Sequence, residues 1–309
     1  MKRLIGSTLL LATLCAASPP DPKLVEEHSF EVPGSADFLA VDGDTVWATN
    51  RGRVEQWSTE GKKATVEVPR PCGAMAAAYG SLWVANCTGG NLYRIDLKTA
   101  QVQAIIPTGI GNPKGETNVV AGAGSIWVPS EDAGKVARVD PATNKVIASI
   151  EVEPHTHYLA FGFGALWAVS NPSQLLQKID PKTNKVSRTL KVDLAPGFLA
   201  AGEGAVWVQE QGVGTVARID PKKVKVTGRA KVGEKLAYGD IDTGGGAVWL
   251  RTTEDQTFVA IDPKSLEVVV RAGKPVGSGA LRYTPSGIWT SAHDIKTMSW
   301  WAEPAPKAD

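Results

Sequence analysis

The sequence predicts an all-β fold: a seven-bladed β-propeller of four-stranded antiparallel blades, with an N-terminal strand closing the last blade. Three observations predict it. Thirty-two Gly and twenty Pro, with no collagen period, mark many turns and hence many short strands. Seven of the ten Trp share one local context, a small or polar turn followed by β-prone residues. These are Trp47, Trp83, Trp127, Trp167, Trp207, Trp249 and Trp289, at spacings of 36, 44, 40, 40, 42 and 40 residues. About ten residues beyond most of them, an Arg/Lys-x-Asp-Pro segment recurs, as in ARVDPATNKV and QKIDPKTNKV. A period near 42 residues holding four strands is the signature of a propeller blade.

The elements follow in chain order. Residues 1–17 read as a secretory signal peptide: Lys2 and Arg3, an apolar run to Leu14, then Cys15, Ala16 and Ala17. Cleavage is expected after Ala17, leaving residues 18–309 as one exported propeller domain, periplasmic or secreted. Acylation of Cys15 as a lipoprotein is the alternative. Residues 23–32 resemble the fourth strands of later units, and the last unit ends at Pro304 without one. Pairing the two would cover an open sheet edge. Within the fourth unit the β-prone runs are 158–161, 165–169, 176–179 and 185–190. Asp-Pro turns separate the last two, because Pro fixes φ and Asp bonds back to the following backbone. Helical repeats are excluded by Gly and Pro recurring where helix interiors would lie.

Charge and motifs narrow the function. A net charge of +1 removes the bulk electrostatic case for nucleic acid. The repeated Trp are expected to pack blades rather than stack bases. No Gly-x-Ser-x-Gly, phosphate loop or Cys-x-x-Cys occurs. In the mature chain Cys72 and Cys87 remain, an even pair in an oxidising compartment. They are equidistant from the turn at 79–80, so a directly opposed disulfide is expected, with Cα atoms ~4.5–5.5 Å apart.

The GxG-[AS]-[LIV]-W and [RK]-[IV]-D-P-x-T-N-K-V segments resemble the YVTN-type and virginiamycin B lyase-like (streptogramin lyase) propellers, from Phe38 to about Trp301. The resemblance implies an active site near the central channel, where several His and Glu work with a magnesium ion to eliminate across an ester C–O bond. Ten residues before each Trp, the His positions hold Asp37, Gly73, Thr117, His157, Gly197, Gly239 (allowing one inserted glycine) and Gly279. Three after each Trp, the Glu positions hold Asn50, Asn86, Ser130, Ser170, Glu210, Thr252 and Ala292. His157 and Glu210 are therefore the candidate catalytic pair.

His155 and His157 bracket Thr156. In an extended segment they would share a face and could ligate one metal, such as magnesium, with Glu210. The alternative is loop histidines bonded to water or backbone. Loops on the same rim supply candidate ligand-binding residues: Asn50, Glu131, His155, Asn171, Arg251 and His293. The leading expectation is a monomeric exported propeller that binds a small polar ligand or a peptide or protein segment on that face, with no catalysis demonstrated. A metal-assisted lyase or hydrolase is the first alternative. A structural interaction module of the cell envelope is the second.

Overall fold

The computed structural model describes residues 24–130, 133–236, 239–252, 258–274 and 277–302. Seven four-stranded antiparallel sheets succeed one another along the chain. Blades 1 to 6 run from Leu39–Asp42 to Gly61–Glu67, from Ala76–Ala78 to Val102–Pro107, from Val120–Gly122 to Lys145–Glu151, from Thr156–Gly162 to Lys185–Lys191, from Pro196–Gly202 to Lys225–Lys231, and from Ile241–Gly244 to Val268–Ala272. Each of the first six blades is laid down in sequence order, inner strand first. The seventh is made of Leu281–Thr284, Gly287–Ala292 and Thr297–Ala302, and Val25–Glu31 supplies its outer strand. The ring is thus closed by the N-terminal segment, as the missing fourth strand implied. The signal-peptide residues 1–17 lie outside the described residues. No helix among the described residues is long and apolar enough to cross a membrane.

The recurring motifs have concrete packing roles. Trp167 is fully buried, and its indole N–H donates to the carbonyl of Gly162 at 3.2 Å. The same bond recurs from Trp83, Trp127, Trp207 and Trp249 to the residue five positions earlier. The Trp thereby ties the second strand to the end of the first. Gly162 leaves room for the next blade, since a Cβ there would lie 2.6 Å from that of Ala201. Gly164, at φ 71°, closes the turn in a conformation open to glycine at little cost.

The Arg/Lys-x-Asp-Pro segment does more than turn the chain. Arg138 lies over the ring of Trp127 at 4.7 Å and donates to the Pro181 carbonyl and the Asn184 side chain of the next blade, at 2.6 and 2.8 Å. Arg94 reaches Pro141 and Asn144 in the same way, and Lys178 reaches Pro221. Meanwhile Asp140 accepts the backbone N–H of Ala142 at 2.9 Å. Blades 2 to 5 thus each latch onto the turn of their successor, and Asp, Pro and Asn serve the latch.

Trp300 and Trp301 alternate across the last strand, and both are buried. Trp300 joins Trp289 and Trp57 in a cluster shared with blade 1, whereas Trp301 packs with Trp249 and Phe258 of blade 6. Both seal the last blade, one on each side.

Candidate functional site: the channel mouth

One face of the ring carries the starts of the inner strands and the loops after the second strands, as the pairing Thr156↔Ser170 requires. Nine residues before the repeat Trp stand Phe38, Tyr158 and Phe198, in blades 1, 4 and 5. Their rings meet across the channel, at 6.2 Å for Phe38–Phe198 and 4.1 Å for Tyr158–Phe198. Blades 1 and 5 are not neighbours, so these aromatics form a plug on the axis.

Polar groups gather around this plug. The Tyr158 hydroxyl donates to Glu116 Oε2 at 3.2 Å. His293 faces Asp37 at 3.4 Å, and the carboxylate beside it raises its pKa. Asp240 and Arg282 form a nearly buried ion pair, and Asp242 lies within the same field. Burial pushes both carboxyls up, against the pull of Arg282. Glu116 is pushed up to about 7, first by burial and then by the charge of Asp37, with the Tyr158 bond opposing.

A buried acid with a raised pKa costs stability wherever it is forced to ionise. The folded state binds more protons than the unfolded chain between about pH 4.5 and 7, so stability falls as pH rises through that window. Glu116→Gln keeps an acceptor for Tyr158 and removes the charge. It is expected to raise stability at pH 8 by on the order of 1–3 kcal/mol, and by less than half as much at pH 5. Chemical denaturation of both proteins at the two pH values checks this.

A cleft of about 380 Å³ opens beside the plug, between blades 1 and 2. Asp37, Phe38, Gly115 and Glu116 form its channel side, and Arg51, Gly52, Pro69 and Arg70 line it further out. Arg70 spends its guanidinium on the carbonyls of Asn112 and Gly115, at 2.7 and 3.3 Å. Cys72 lies in the wall and is disulfide-bonded to Cys87, with Cα atoms 6.1 Å apart. The bridge expected from sequence is present, but the two cysteines are not directly opposed. Ala76↔Trp83 and Ala78↔Ser81 keep the register of the turn, whereas Pro71 pairs with Asn86, two residues out of step. Gly73, at φ 78°, sits where the register changes, and a Cβ there would collide with the Thr117 backbone.

The remaining candidates scatter. His157 is the extra residue of a bulge between Thr156 and Tyr158, and its ring packs on Tyr158 at 4.1 Å. His155 is exposed, at φ 59°, before the strand begins. The alternation that would put both imidazoles on one face is therefore broken. Glu210 is fully buried and turned into its own blade, held by Arg229, the Thr215 hydroxyl and the Asp193 N–H. A carboxylate so engaged does not fit a magnesium ligand shell with His155 and His157. Among the described residues, no group of three or more His, Cys, Asp or Glu is placed to hold a metal ion.

Asn50 is buried, accepting from the Ser35 and Arg51 N–H groups and donating to Pro33 and Glu55. Asn171 donates to the Pro196 carbonyl at 3.0 Å. Arg251 is buried among the carbonyls of Thr252, Gly277 and Ser291, and burial lowers its pKa to about 10. Glu131 lies outside the described residues. Of the sequence-derived rim residues, His293 reaches the channel-mouth cluster and Asn50 lines the cleft.

Glu116, Tyr158, Asp240 and Arg282 were not singled out by sequence, although a signal existed. Seven residues before the repeat Trp, five blades carry Ala or Val: Ala40, Ala76, Val120, Ala160 and Ala200. The other two carry Asp242 and Arg282, an exchange of small side chains for a charge pair inside the channel.

No family model and no curated protein matches the sequence. Solved structures do match the fold. Virginiamycin B lyase from Staphylococcus aureus aligns at a TM-score of 0.75 and 16% identity, over 91% of this chain and 99% of its own. A streptogramin B lyase aligns at 0.74 and 13%, over 91% and 97%. A chain of the mitotic checkpoint complex aligns at 0.76 and 12%, over 97% and 98%. At such identities the likeness is one of fold.

Proposed function

We propose that this chain is an exported, monomeric propeller that binds a small polar ligand or a peptide segment in the cleft at its channel mouth. The observation carrying the reading is the cleft itself. It is concave, has Phe38 on one wall, and collects Asp37, Glu116 and Arg51 around one space. The burial cost at Glu116 supports it, since perturbed ionisable groups gather where binding or chemistry is done. The N-terminal Lys-Arg and apolar run supports export, with residues 1–17 as the signal and one domain following. The Cys72–Cys87 bridge fits an oxidising compartment.

The test is a fragment screen by protein NMR on the mature chain, using small polar compounds. Hits are expected to perturb Arg51, Phe38 and Glu116, and to be lost in Ser35→Trp, which places a large ring in the cleft and leaves the Ser35 backbone bond to Asn50 in place. Hits that map elsewhere and survive this substitution overturn the assignment.

A further inference from the structure

We infer that the cleft selects a short peptide with both ends free, holding its ammonium at Asp37 and Glu116 and its carboxylate at Arg51. This rests on the reading of the cleft as a binding site and adds the chemistry of the ligand.

The charges are segregated along the cleft. Asp37 and Glu116 belong to segments leading into the inner strands of blades 1 and 3, on the channel side. Arg51 follows the second strand of blade 1 and lies further from the axis. An α-amino acid carries its ammonium and carboxylate on one carbon, whereas an extended dipeptide, at ~3.5 Å per residue, sets them ~7 Å apart and can engage groups carried by different strands. A cleft of about 380 Å³ holds a molecule of this size.

Both ends offer capacity to a ligand. The Arg51 guanidinium makes no hydrogen bond or ion pair among the described residues, and only its backbone is bonded. At the other end, Glu116 has the Tyr158 hydroxyl on one oxygen, and Asp37 has His293 at 3.4 Å. The two carboxylates repel one another. Glu116 makes no ion pair among the described residues, so an ammonium beside it supplies a positive partner, and the adjacent Phe38 ring favours a cation. Arg70 does not supply it, being committed to two carbonyls.

The groups whose charges reach Glu116 are Asp37, Asp240 and His293, with Tyr158 bonded to it. Binding an ammonium favours the ionised acid, so affinity is expected to rise by up to about fivefold between pH 6 and 7, and to fall again above about pH 8 as the ligand's own ammonium loses its proton.

Calorimetric titration of the mature protein with Ala-Ala, N-acetyl-Ala-Ala and Ala-Ala-amide tests the inference. The free dipeptide is expected to bind at least about tenfold more tightly than either capped form. Glu116→Gln is expected to flatten the rise between pH 6 and 7 and to shrink the penalty for the acetyl cap, with Asp37 retaining part of it, and Arg51→Ala to remove the penalty for the amide. Equal binding of capped and free peptides overturns the inference. If no peptide binds but uncharged fragments still perturb the cleft, the inference falls and the proposed function stands. If nothing occupies the cleft, both fall.

Discussion

Deleting residues 24–32 is expected to leave a chain that aggregates, or that melts at least about 10 °C below the full protein. The segment is an outer strand with mostly exposed side chains, so its importance is easily underrated. Its backbone pairs with the last strand from Val25↔Ala302 to Glu31↔Thr297, and the Val32 N–H continues the ladder to the Lys296 carbonyl at 2.7 Å. Phe30 packs against Trp57 of blade 1 and Trp289 of blade 7, with ring centroids 5.6 and 6.2 Å away. Val32 is fully buried in the same cluster, and Leu24 covers the cluster of Trp301.

Burying Val32 fully is worth about 1.5–3 kcal/mol, and the partly buried Phe30 and Leu24 add about half as much each, before counting the ladder. The sum approaches the ~5–15 kcal/mol that holds a whole domain folded. Deletion also bares the edge of a strand carrying Trp300 and Trp301, which invites pairing between chains. A thermal scan with light scattering reads both effects. A truncated protein with an unchanged melting temperature would show that the ring does not depend on this closure.

The fold was legible because blade geometry is written in local chemistry repeated seven times. In five blades the repeat Trp bonds a carbonyl five residues back, and in four of these that residue is a glycine facing the next blade, so both leave a spacing on the page. Even the closure was legible, through the missing strand after Pro304. The latch from Arg138 to Pro181 and Asn184 was hidden. Its residues were visible as a turn, but their partner lies a whole repeat away.

The site was less legible for a related reason. It is built from residues that break the repeat, and those meet only when seven blades close around one axis. Glu116 belongs to blade 3, Tyr158 to blade 4, and Asp37 to blade 1; no sequence window contains the three. Counting from the repeat Trp found His157 and Glu210 at the right register. Register does not report which way a side chain turns when a bulge intervenes, as at His157, or when an arginine two strands away claims the carboxylate, as at Glu210.

Glu210 therefore separates a structural role from a functional one in a single measurement. Its carboxylate is fully buried. It receives the Asp193 N–H at 2.9 Å, the Thr215 hydroxyl at 2.6 Å, and two bonds from Arg229 at 2.8 and 3.1 Å. These donors come from the loop leading into blade 5 and from its third and outer strands, so one side chain ties together the upper edge of that blade. Blade 1 solves the same problem differently: Glu55 holds Asn50, Arg53 and Lys62, and those partners lower its pKa despite burial.

Hydrogen bonds to a charged group are worth about 1.5–3 kcal/mol, and donors left unpaired in the interior cost more than the bonds return. Arg229 is partly exposed and regains water, which limits the loss. Glu210→Ala is accordingly expected to cost on the order of 3 kcal/mol, lowering the melting temperature while leaving ligand binding in the cleft unchanged. In the double substitution with Arg229→Ala, the two losses should fall short of their sum, because each removes the same bonds. An unaltered melting temperature together with lost binding would instead return Glu210 to the functional site.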